Sequence, residues 1–154
     1  MKWALITPDG ELTHHDGEPD WNAVIGPEGR ARVRLPDLAV AGWVNDVGHV
    51  LTEKYPRNIT GSCVLIALGA LRQPYAGPVV FTGWEPRHTA LGLPEIVSLP
   101  QPGFLTAFHR EVTAALEGRH TAHPPRWAAA IREIADFVHT APTPGITIRP
   151  GRPW

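Results

Sequence analysis

A chain of 154 residues is long enough to bury a core of its own, and its single cysteine, Cys63, forms no intrachain disulfide. Fourteen basic against fifteen acidic side chains leave a formal net charge of −1, which argues against the broad electrostatic footprint of a duplex nucleic-acid binder. The longest apolar run, residues 64–71, falls far short of the roughly 20 residues a membrane span needs, and the opening MKWALITPDG turns polar without a signal-peptide pattern, so a cytoplasmic protein is expected.

Residues 2–6 are apolar, Pro8, Asp9 and Gly10 signal a turn, and residues 11–13 follow, which predicts an opening hairpin with a short, polar return strand. Asp20 is placed to cap a brief turn over residues 21–25, after which Gly26, Pro27 and Gly29 break the chain. Residues 30–35 alternate strictly between charged and apolar, the pattern of a strand with one wet face. Residues 41–45 and 47–52 read as two more strands, and the turn chemistry of residues 45–48 predicts that they form a second hairpin.

The stretch RNITGSC, residues 57–63, offers side-chain oxygens from Asn58, Thr60 and Ser62 that can cap a helix over residues 59–72. That helix is apolar nearly all round from Cys63 onward, so it must be covered on more than one side. Residues 79–82 read as a strand buried on both faces, with Pro78 at its start. After a loop over residues 86–102, two amphipathic helices are expected at 103–118 and 125–139. In the first, Phe104, Leu105, Phe108, Val112, Ala115 and Leu116 recur at three and four residues; in the second, Trp127, Ala130, Ile131, Ile134, Phe137 and Val138 do so. The fold class read from this order is α+β: an antiparallel or mixed sheet in residues 2–84 packed by the buried helix, then a helical hairpin and a Pro-rich tail. The domain reading is residues 1–84, a helical extension over 85–140 packed on them or detached as an interaction module, and an extended tail over 141–154.

The segments 6–10, 43–48 and 76–83, with Asn58 ahead of the apolar helix, resemble in order and spacing a family of small uncharacterised bacterial and phage proteins known as a domain of unknown function. The resemblance covers residues 3–84 and implies a compact α+β domain, encoded near phage or mobile-element genes, with no reaction attached. The chain departs from the pattern between Asp20 and Arg30, where the family carries a fuller helix.

Four residues are candidates for a ligand site. Arg57, Asn58 and Ser62 at the start of the apolar helix, with His49, would hold a carboxylate, phosphate or small molecule against the free N–H groups there. The competing reading, capping of those N–H groups by Asn58 or Thr60, is favoured because a buried helix must satisfy its first donors in some way. Cys63 is read as a small buried hydrophobe, since no sequence motif supplies a base to activate it. His14, His15, His120 and His123 make an incomplete ligand set without a third partner at regular spacing, so neither a metal nor another cofactor is implied.

Arg30, Arg32 and Arg34 alternate on one strand face and suggest a basic stripe, to which Trp43 and Trp154 would add aromatic contact surface. Compensation of this stripe by the acidic opening hairpin, laid beside it, is the expectation. In sum, the sequence points to a non-enzymatic small binding or regulatory protein that contacts another protein and no membrane. The alternatives are a small-molecule or anion binder, or minor enzyme, at the helix start, and a nucleic-acid-associated protein using the arginine strand and the tail arginines, against which the net charge weighs.

Overall fold

The computed structural model describes residues 1–36, 39–86, 90–119, 123 and 125–142. In chain order they form β1 (Lys2–Ile6), β2 (Leu12–Asp16), α1 (Trp21–Val24), β3 (Arg30–Val33), β4 (Val40–Asn45), α2 (Ile59–Ala67), β5 (Val79–Glu85), β6 (Glu95–Val97), α3 (Pro102–Leu116) and α4 (Arg126–Thr140). Every strand pairing is antiparallel and the sheet runs β2-β1-β5-β4-β3, which makes the protein α+β. No helix among the described residues is long and apolar enough to cross a membrane.

β5 is the hub, because its uninterrupted apolar start suits a strand covered on both faces: residues 79–83 are all buried. One side of β5 pairs with β4. The other pairs first with β1, at residues 79–81, and then with β6, at residues 83–85. The end of β6 is tied to the start of β1, where Leu99 donates its N–H to the Lys2 carbonyl and Lys2 donates to Ser98 Oγ.

α2 has no polar face and is accordingly enclosed, with the sheet beneath it and α3 and α4 above. Ile6, Val33, Val79 and Phe81 from the sheet meet Cys63, Val64 and Leu65 of α2, and the same cluster continues into Leu105, Val112 and Ala115 of α3 and Ala128 and Ile131 of α4. Each of the larger side chains, the Val, Leu, Ile and Phe, is worth about 1.5–3 kcal/mol of transfer free energy when fully buried. The helical pair therefore shares one core with the sheet and is not detached. The opposite sheet face holds a smaller cluster, with Trp3, Ile25, Ala41, Trp43 and Val80 at its centre and Trp21 and Trp84 against them.

Several local expectations differ from the structure. Residues 47–52 are not a strand: Asn45 Oδ1 accepts the Val47 N–H, and Val50 and Leu51 then donate to the Val47 carbonyl, so the chain coils through successive turns. β4 finds its partners in β3 and β5 instead. α2 stops at Ala67 rather than near residue 72, because Gly69 adopts a φ of 105° and Ala70 donates to the Leu65 carbonyl, closing the helix in the left-handed manner. β6 lies within the segment expected to be a loop. Phe104, Trp127 and Ala130, assigned to the core-facing stripes, are exposed, Phe104 at 56%. The expected tail, with Trp154 and the arginines at 149 and 152, lies outside the described residues apart from its first two positions, as does His120.

Candidate functional site

The helix start is built as a cap. Asn58 is fully buried, and its side chain is N-cap to α2, with Oδ1 accepting the Gly61 N–H at 2.8 Å. Its Nδ2 donates to the carbonyls of Ile6 at 2.9 Å and Gly77 at 3.0 Å, joining α2 to β1 and to the approach of β5. Ser62 Oγ accepts the Tyr75 N–H at 3.0 Å and donates to the Tyr75 carbonyl. Both side chains face inward. Asn58 and Ser62 therefore do not present the ligand-facing groups of the anion-site reading, and Asn58, one of the two favoured capping candidates, takes up a donor at the helix start.

Arg57 and His49 are brought together. They line a cleft of about 410 Å³ with Thr52, Tyr55, His139 and Pro142. Arg57 Nη1 donates to the Val138 carbonyl at 2.7 Å and also reaches the His139 carbonyl, so the guanidinium sits on the C-terminal carbonyls of α4. His139, eighty-odd residues from Arg57 in sequence, was not foreshadowed by any motif. Chemically the cleft offers imidazole and guanidinium donors around a small polar space.

Beside it, the Glu28 carboxylate accepts from Lys54 Nζ at 2.8 Å, from the Tyr55 hydroxyl and from Asn45 Nδ2 at 3.0 Å. Those donors, Lys54 first, hold the Glu28 carboxyl down at about 2. Cys63 is completely buried, and burial pushes its thiol up to about 11, so it is not a nucleophile in this conformation. His14 Nε2 bonds to Thr106 Oγ1, whereas His15 stacks on Trp3 at 4.2 Å between centroids; the two adjacent imidazoles are thus turned to different partners. Among the described residues no group of three or more His, Cys, Asp or Glu is placed to hold a metal ion.

The sheet face away from α2, α3 and α4, on which α1 docks, carries the most developed surface arrangement. Trp43 is buried, its Nε1 donating to Thr82 Oγ1 at 2.8 Å, and it meets Trp21 and Trp84 edge-on at 5.6 and 5.9 Å. The Arg30 guanidinium lies 4.0 Å from the Trp21 centroid and 5.2 Å from that of Trp43, and Arg32 lies 4.3 Å over Trp84. Both arginines are exposed, and neither makes an ion pair among the described residues. Comparison of the chain with family models, curated proteins and solved structures finds no match.

Two further points concern that face. Arg34 follows the end of β3 and is exposed, but it lies on no ring among the described residues. The acidic opening hairpin does not compensate the arginines, because β1 and β5 separate β2 from β4 and β3, placing the hairpin at the far edge of the sheet. Within it, Asp16 pairs with the N-terminal ammonium. Trp21 and Trp84 were not singled out by the sequence, since only the β4–β5 register and the docking of α1 bring them to Trp43.

Proposed function

We propose that the chain is a non-enzymatic small binding or regulatory protein that acts through contact with another protein, and that the arginine–tryptophan face of β3, β4 and β5 carries the contact. The observation behind this reading is the pairing of two exposed guanidiniums with indole rings, without an acidic partner among the described residues. An arginine laid on an aromatic face loses less freedom on binding than one free in solvent, and Arg and Trp are the residue types that dominate binding energy at interfaces. The phage or mobile-element setting enters only through the resemblance of residues 3–84, and the proposal does not depend on it.

A second reading, an anion or small-molecule binder, is favoured by one observation: His49, Arg57 and His139 line a common cleft. The nucleic-acid reading draws on the same arginines and rings, since bases stack on indoles, but the net charge of −1 weighs against it. Cross-linking of the full chain in its native host, comparing wild type with the R30Q/R32Q double variant, tests the choice. A protein adduct lost in the variant supports the proposal. An adduct unaffected by the variant, or one made of nucleic acid, overturns it.

A further inference from the structure

The arginine face ends at an open sheet edge. Among the described residues β3 is the terminal strand, and its pairing with β4 is its single strand partnership. Among the described residues no backbone group of residues 30–33 bonds outside that pair. Residues along a strand alternate between faces, so Arg30 and Arg32 point to the tryptophan side while Val33 points to the helices, where it is buried. The edge thus presents a row of backbone donors and acceptors with two cations at alternate positions that have no acidic partner among the described residues.

Charged side chains on an edge strand usually serve to discourage pairing with other chains. Mutual repulsion would ordinarily spread two such cations into solvent, however, and here each is instead drawn down onto a ring. The Cα atoms of Arg30 and Arg32 stand about 6.6–6.8 Å apart, the two-residue repeat of a strand, and their side chains lean inward over Trp21, Trp43 and Trp84 with N–H groups still open to planar acceptors that reach over β3. A second strand laid beside β3 has the same repeat, so carboxylates two residues apart on it fall opposite both arginines.

We propose that the partner presents an acidic, extended segment that adds to the edge of β3 as a further strand, with alternate Asp or Glu side chains on Arg30 and Arg32. This rests on the protein-binding reading above and names its occupant. Main-chain hydrogen bonds supply affinity in such additions, and the charge pairs fix register and reject basic segments. A phosphate backbone matches the charge but has no alternating N–H and C=O groups for the edge, which is why the open strand favours a peptide.

The test uses the full ¹⁵N-labelled chain and three probes: an acetylated, amidated peptide alternating Glu with Val and Thr, its counterpart with Lys for each Glu, and an oligothymidylate. Addition of the acidic peptide is expected to shift the backbone amides of residues 30–33 and slow their exchange, while the Lys peptide leaves them unmoved. R30Q/R32Q is expected to weaken the acidic peptide at least tenfold, and the paired peptides keep the test decisive should that variant fold poorly. Shifts confined to indole and guanidinium N–H groups overturn strand addition while leaving the protein-binding face standing. Binding of the oligothymidylate in preference to the acidic peptide overturns both. Silence from all three at millimolar concentration overturns strand addition and leaves the arginines as guards of the edge, whereupon the cross-linking result decides the broader reading by itself.

Discussion

Asn58 Nδ2 stands 2.9 Å from the carbonyl oxygen of Ile6, a bond that ties the start of a buried helix to a strand fifty-two positions earlier in the chain. The same amide group bonds the Gly77 carbonyl, and its oxygen caps Gly61. N58A removes the cap, worth about 1 kcal/mol, and leaves two buried carbonyls unsatisfied at about 1–3 kcal/mol each, so a loss of about 3–7 kcal/mol in urea unfolding is expected. N58D keeps the cap but turns a carboxylate oxygen on the two carbonyls. It should be as unstable as N58A at neutral pH and regain stability in acid, where the carboxyl protonates and can donate again. Equal stability of N58D and wild type at pH 7 would refute this account.

Gly61 occupies a helical position where alanine normally gains about 1 kcal/mol. A Cβ there would lie 2.8 Å from both Asn58 Cγ and Val79 Cγ2, closer than real Cβ contacts come. G61A should therefore destabilise, by about 1–3 kcal/mol, as α2 is pushed off β5. A thermal midpoint above that of wild type would mean the helix has room to move.

The Cys63 thiol is sealed between the sheet and α4, with Sγ near the Ile131 carbonyl. Iodoacetamide at pH 8 should leave the native chain unmodified and label it at the rate of global opening, rising in step with added urea. Prompt stoichiometric labelling without denaturant would contradict the burial.

The Glu28 network gives a pH signature. The folded carboxyl is held at about 2 against an ordinary 4.5, first by Lys54 and then by the Tyr55 hydroxyl. A depressed carboxyl stabilises the fold fully above its unfolded value and loses that contribution as pH falls from about 4.5 toward 2. E28Q should be less stable than wild type at pH 7, and the two unfolding midpoints should converge as pH approaches 2. A difference that persists undiminished at pH 2 would show that packing, not charge, sets the effect.

How much of this was legible beforehand follows from the range of the interactions. The stripes of α3 and α4, the all-apolar α2 and the doubly buried β5 are local patterns, and Asp20 and Asn58 are caps that sit beside the helices they start. Residues 47–52 mislead because Val47, Val50, Leu51 and Thr52 after a turn signal look strand-like, while one local bond, from the Val47 N–H to Asn45 Oδ1, turns the chain away. β6 is too short to carry a periodicity. The site depends on longer range still: His139 reaches the Arg57 cleft from the far end of α4, and Trp84 meets Trp43 only through the β4–β5 register. Arg30 and Arg32 were visible as a stripe, but the rings beneath them were not.

The place of β5 in the sheet bears on how the protein emerges from the ribosome. β1 and β4 are made before β5, the strand that lies between them and pairs with both, and Val138, wholly enclosed, follows later still. The nascent chain must therefore hold two strand pairs, β1 with β2 and β3 with β4, apart with their inner edges open until β5 is made, and a product halted after residue 100 should stay soft and readily cleaved by protease. Resistance of that fragment to proteolysis would show that the sheet can set without its helical cover.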